Sequence, residues 1–159
     1  MKRKKWIKVL SLLFSVMLLC VGVVGCEQSD EGNLCAADFV LTISTSKNKF
    51  QRNDEIKVEI MFKNISEMDV EIAYYHLITP FIPTATNYPT VTEMPPAPYI
   101  EKVVSQQSIV TTNDLGGYFE SGKHEIKYKA QFYLNWGKET EQMFVVWSNV
   151  IYIEVEESL

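Results

Sequence analysis

Apolar residues recur at every second position along most of the chain after residue 38, and this period restricts the fold more than any other feature. Phe39, Leu41 and Ile43 alternate with Val40, Thr42 and Ser44. Ile56, Val58, Ile60 and Phe62 alternate with Lys57, Glu59, Met61 and Lys63. Val70, Ile72 and Tyr74 follow, and residues 102–112 carry a weaker strand pattern. His124, Ile126, Tyr128, Ala130, Phe132 and Leu134 then alternate with Glu125, Lys127, Lys129 and Gln131. A strand turns successive side chains to opposite faces, so each run has one face to bury and one to wet. The last run covers about residues 141–156, with Val145, Trp147, Ile151, Ile153 and Val155 in its inward phase. Ser148 and Asn149 interrupt it, which marks a bulge or a change of sheet. Polar turns fall at residues 47–54, 64–69, 113–117 and 136–139. No helical apolar period of useful length accompanies these strands, so parallel crossovers are not expected. The pattern predicts an all-β fold, a single antiparallel β-sandwich of about seven strands over residues 38–159.

The beginning of the chain obeys a different rule. Five of its first eight residues are Lys or Arg, and residues 9–25 carry no charge. A basic head before a short apolar run is the layout of an export signal, with the head held on the cytoplasmic side. Seventeen uncharged residues fall short of the roughly 20 of a spanning helix, so an uncleaved anchor is the weaker alternative. The run ends Val23-Val24-Gly25-Cys26, which resembles the bacterial lipobox. That resemblance implies cleavage between Gly25 and Cys26 and a diacylglycerol thioether on the Cys26 thiol. It divides the chain into a lipoprotein signal peptide (1–25), a lipidated Cys with a polar tether (26–37) and the sandwich (38–159). It also places the domain at a bacterial cell membrane, lipid-anchored on the extracytoplasmic side.

The strand order, and stretches such as Asp54-Glu55-Ile56-Lys57-Val58, Phe62-Lys63-Asn64-Ile65-Ser66 and Gly122-Lys123-His124-Glu125-Ile126, resemble Ig-like domains of exported bacterial lipoproteins. Intracellular-proteinase-inhibitor-like modules have similar stretches. Such domains often carry a corner tyrosine after the Gly that enters the penultimate strand. His124 stands there in this chain, and a neutral imidazole can make a comparable hydrogen bond.

All six prolines lie between Pro80 and Pro98, inside a 21-residue segment (79–99) that contains a single charge, Glu93. Proline cannot donate to a ladder, so the segment is read as a long loop outside the central strands. It either packs on its own sheet or forms a binding loop, in which case Phe81, Tyr88 and Tyr99 are the contact residues. Tyr75, Tyr118, Phe119, Tyr133 and Tyr152 fall out of phase with the main core faces. They form an aromatic binding face for a glycan, or they fill the second sheet's inner face or lie against the proline loop.

The residues point away from catalysis. His76 and His124 sit within strand alternation and are read as core or edge histidines. No nucleophile elbow, HExxH pattern or Gly-rich phosphate loop is present. Acidic turn residues Asp54, Asp69 and Asp114 lack EF-hand spacing. Cys35 and Met143 with the two histidines do not match the clustering of a copper site, so no metal and no cofactor are expected. Cys35 is left as a free thiol or an intermolecular disulfide. The chain has 15 basic and 20 acidic residues, a net charge of −5. Removing residues 1–25 would take five basic residues and no acids, leaving −10. Such acidity argues against nucleic-acid partners and against adhesion to anionic lipid by charge, so the lipid itself is the expected membrane contact. The expected function is a noncatalytic binding or interaction module for a protein or a glycan, not an enzyme. The alternatives are an accessory subunit of a membrane complex and a proteinase-inhibitor-like domain. The sequence leaves the oligomeric state open.

Overall fold

The computed structural model describes residues 34–85 and 94–157. Gly25, Cys26 and Tyr88 lie outside these residues. Ten strand segments are described: β1 (Phe39–Thr45), β2 (Lys49–Gln51), β3 (Lys57–Asn64), β4 (Val70–Tyr74), β5 (Ile78–Phe81), β6 (Tyr99–Val103), β7 (Ser108–Asp114), β8 (Gly122–Leu134), β9 (Gln142–Trp147) and β10 (Ile151–Glu156). A small sheet has the order β1-β3-β7. A large sheet has the order β2-β10-β8-β4-β6, with β5 and β9 also paired to β8. The inner faces of the two sheets meet in one core, so the molecule is a β-sandwich.

The strand count exceeds the expected seven for a physical reason. The long strand β8 is flanked on each side by a lane that breaks and resumes. On one side β4 pairs Ile72 with Leu134 and β5 pairs Ile78 with Ala130, so two extra residues are accommodated between them. On the other side β9 pairs Trp147 with Lys129 and β10 pairs Ile151 with Ile126, an offset of one residue. That offset is a β-bulge at Ser148 and Asn149, one of the two outcomes the sequence offered. Ser148 closes it: its N–H donates to the Tyr128 carbonyl at 2.9 Å and its Oγ accepts from the Tyr128 N–H at 2.9 Å.

The bulge changes which residues point inward. Before it, Phe144 and Val146 are buried; after it, Ile153 and Val155 are. The inward phase of β9 is therefore even, and Val145 and Trp147 face solvent, contrary to the sequence reading. The weak pattern over residues 102–112 also resolves differently. It is β6 in the large sheet and β7 in the small one, joined by a tight turn with Gln106 at φ 62°. The pairing is antiparallel throughout except for β2, which runs parallel to β10 within a segment read as a turn. Leu34 packs against the core and Cys35 precedes a 3-10 turn (Ala36–Asp38), so the packed unit takes in the last residues of the expected tether.

Four phenylalanines occupy the middle of the core. Phe132 of β8 meets Phe39 edge-on at 4.8 Å and Phe62 at 5.4 Å, and stacks on Phe144 at 5.6 Å. Offset and edge-to-face pairs of this kind add to simple burial. Polar groups are matched where the sheets approach. The Asn113 Nδ2 donates to the Tyr128 hydroxyl at 3.0 Å, from β7 to β8. Asn149 leaves the bulge and clips the edge of β1, its Oδ1 accepting from the Ile43 N–H at 2.8 Å and its Nδ2 donating to the Ile43 carbonyl at 3.0 Å.

Candidate functional site

The outer face of the large sheet gathers exposed aromatic and apolar side chains. Alternation directs Lys127, Lys129, Gln131 and Tyr133 of β8 away from the core, because Tyr128, Ala130, Phe132 and Leu134 are buried. Cross-strand pairing sets Trp147 beside Lys129, Val145 beside Gln131 and Met143 beside Tyr133. On the opposite side of β8, Phe81 stands beside Lys127. Phe81 and Trp147 reach toward each other across β8, with ring centroids 5.7 Å apart and planes at 87°. The Lys127 ammonium lies 4.9 Å from the Phe81 ring and 5.4 Å from the Trp147 ring, a double cation–π contact. Trp147 is 49% exposed and Phe81 45%, so the pair remains open to a partner. Toward the β8–β9 turn, Trp136 meets Tyr133 at 5.0 Å and Tyr75 at 6.0 Å, both edge-on.

Of the three loop residues named from the sequence, Phe81 and Tyr99 fall on opposite faces of the large sheet, and Tyr88 lies outside the described residues. Phe81 belongs to β5 and the outer face. Tyr99 opens β6 and pairs with Tyr74, and the register turns both rings to the opposite face of the sheet. The Tyr74 and Tyr99 rings are 5.8 Å apart, and the Tyr74 hydroxyl donates to Glu101 at 2.9 Å. Burial and then the Glu101 carboxylate push the Tyr74 phenol up to about 12, so it remains a neutral donor at physiological pH. The expected aromatic set divides similarly. Tyr133 and Tyr152 are on the outer face and Tyr75 adjoins it, whereas Phe119 is buried against His124 at 4.7 Å. Trp147, Val145 and Met143 were not singled out as contact residues. The signal was present: residues 143–147 are all apolar, and a strand on a sheet with one wet face must expose one parity of such a run.

The remaining candidates have structural partners. His124 is buried; its Nε2 donates to the Glu120 carbonyl at 2.7 Å, and its Nδ1 shares a hydrogen bond with the Thr84 hydroxyl at 2.9 Å. The imidazole bond to the Glu120 carbonyl is comparable to the one a corner tyrosine makes. The Lys47 ammonium at 2.6 Å, aided by the Gln51 N–H, holds the Asp54 carboxyl below its ordinary range. Lys102, at 2.8 Å, does the same for Asp69, together with the Ser105 N–H. Asp114 accepts from the N–H groups of Ile56 and Gly116. These acids each close a separate turn. Among the described residues no three His, Cys, Asp or Glu side chains gather as a metal-holding group.

No family model and no curated protein matches the chain. Among solved structures, a β-glucosidase from Listeria innocua in complex with glucose is 19% identical with a TM-score of 0.37, over 76% of this chain and 16% of that one. A β-glucosidase from Erythrobacter marinus is 13% identical with a TM-score of 0.33, over 70% and 15%. The ASH/PapD-like domain 7 of human CEP192 is 8% identical with a TM-score of 0.41, over 86% and 99%. The chain therefore spans about one sixth of the glucosidases it matches, and likenesses at these scores transfer no activity.

Proposed function

We propose that the chain is a membrane-anchored extracytoplasmic lipoprotein whose Ig-like sandwich is a noncatalytic module that binds a protein. The arrangement of β1-β3-β7 against β2-β10-β8-β4-β6 supports the Ig-like reading. The observation that carries the binding reading is the exposed Phe81, Lys127 and Trp147 group, continued by Val145 and Met143. Aromatic and Met side chains on a surface of this kind are the usual anchors of protein interfaces. Ring orientation favours a protein over a polysaccharide. The Phe81–Trp147, Tyr133–Trp136 and Tyr75–Trp136 pairs are all steeply inclined, so they make no coplanar shelf for successive sugar rings. An accessory subunit of a membrane complex uses such a face in the same way.

A photo-crosslinking amino acid at position 145 is expected to capture one stoichiometric membrane or extracytoplasmic protein. Combining Trp147→Ala with Phe81→Ala should weaken that capture by about 2–4 kcal/mol. Capture that ignores both substitutions would refute the reading, and glycan-array binding lost in the same variant would redirect it to a sugar.

Anchoring is tested separately. Cys26→Ser should abolish incorporation of radiolabelled fatty acid and leave the precursor uncut. Continued labelling would reject the lipidation site.

A further inference from the structure

Among the described residues, the outer edge of β7 pairs with no other strand. β7 ends the small sheet and, among the described residues, pairs only with β3. Beyond the two ends of their ladder, Asn64 donates to the Gln107 carbonyl at 3.2 Å and Leu115 to the Ile56 carbonyl at 3.0 Å. Both bonds follow the β3–β7 register, in which hydrogen-bonded residues alternate with outward ones. The odd residues of β7 therefore bond to β3. The backbone N–H and C=O groups of Ser108, Val110, Thr112 and Asp114 are directed away from the sheet.

Every other described edge is blunted. β1 carries the Asn149 clip at Ile43. β2 is three residues long and begins with Lys49. β5 contains Pro80, β6 contains Glu101 and Lys102, and β9 is flanked by the 3-10 turn at its side. Lysine, proline, shortness and a covering segment are the standard protections of a sheet edge. The β7 sequence, Ser-Ile-Val-Thr-Thr-Asn-Asp, has no proline and no basic residue, and Val110, Thr111 and Thr112 are exposed.

We propose that β7 is a self-pairing edge, joining antiparallel to β7 of a second copy of this chain about a two-fold axis at Thr111. The sequence is compatible with its own reverse. Val110 then faces Thr112, Ile109 faces Asn113, and Ser108 faces Asp114, with no like charges opposed. Ser108 stands between Lys63 on β3 and Asp114 of the second copy, all on the outer side of the extended sheet. The odd–even alternation also fits, because the outward backbone groups of Val110 and Thr112 bond to each other across the axis. Two seven-residue strands bury less than the roughly 1,200 Å² of a stable complex. The pairing is therefore weak in dilute solution and strengthened when copies are confined to one membrane. The strengthening rests on the lipid anchoring proposed above, whereas the pairing itself uses neither the outer face of the large sheet nor the binding proposed for that face.

The test uses the full chain in lipid vesicles, with Cys35→Ser to remove the thiol of the described domain. Thr111→Cys should give an oxidant-dependent dimer on a nonreducing gel, well above both the parent chain and a collision control, Thr140→Cys in the β8–β9 turn. Thr112→Pro removes an outward N–H and leaves the β3 ladder intact, while Val110→Lys adds charge at the axis. Either should reduce the dimer about tenfold. Because Thr112→Pro can disturb the strand, Val110→Lys decides the matter. Trp147→Ala should leave the dimer unchanged. Equal crosslinking at positions 111 and 140, or a dimer that survives Val110→Lys, overturns the proposal. A dimer lost with Trp147→Ala but not with Val110→Lys assigns self-association to the large sheet and overturns it equally.

Discussion

Phe132→Ala is expected to cost the fold about 3–5 kcal/mol. Phe132 is fully buried and touches three other rings, Phe39, Phe62 and Phe144, drawn from β1, β3 and β9. Truncation removes the transfer energy of the ring and leaves a cavity between two hydrogen-bonded sheets, which collapse poorly. Stabilities of small domains are typically about 5–15 kcal/mol, so this change consumes a large share. Urea unfolding followed by tryptophan fluorescence should show the midpoint falling with little change in slope. Phe132→Leu should cost less, because most of the volume is retained. A loss under about 1 kcal/mol for the alanine variant would mean that the sheets do not close on this ring.

Asn64→Ala should cost roughly 3 kcal/mol although it removes only a small polar side chain. Asn64 is completely buried at the end of β3. Its Nδ2 donates to the carbonyls of Met68 at 2.8 Å and Val103 at 3.2 Å. Its Oδ1 accepts from the N–H of Ser66 at 3.0 Å and from the Ser66 hydroxyl at 2.7 Å. The side chain thus joins the small sheet, through β3, to β6 of the large one, and it holds the turn between β3 and β4. Alanine leaves the Ser66 amide and the Val103 carbonyl buried without this partner, and each orphaned group costs about 1–3 kcal/mol. Ser66→Ala should cost less, since it removes no backbone partner from Val103. Thermal unfolding of both variants measures the difference. Equal losses would place the stability in the turn alone, not in the bond between the sheets.

What could be read from the sequence follows what each run of residues says about its own neighbours. β3 and β8 were legible because charged residues mark one parity unambiguously: Lys57, Glu59 and Lys63 in one, Glu125, Lys127 and Lys129 in the other. β9 was misread because Met143, Phe144, Val145, Val146 and Trp147 are all apolar. The rings that meet Phe144 on the inward side, Phe132 and Phe39, are both distant from it in sequence. β2 was missed because its pairing with β10 is a long-range event that leaves a three-residue trace. Phe81 and Tyr99 are separated for a topological reason. The chain leaves the large sheet after β5 and returns as β6, and the returning register places Tyr99 on the other face. Asn64 looked like an ordinary turn residue, because nothing local reveals that Val103 supplies a carbonyl beside it.

The bulge at Ser148 has a consequence for how the chain can vary. β9 and β10 are one lane read in two frames, even residues inward before the bulge and odd residues inward after it. Substitutions on the exposed positions of β9 can therefore remodel the outer surface without entering the frame that buries Ile153 and Val155. A gain or loss of one residue in this lane is another matter. It would exchange inside for outside along half the strand and remove Asn149 from the edge of β1. The fold thus leaves the composition of the outer face to its partner alone, while it fixes the spacing from Trp147 to Ile151.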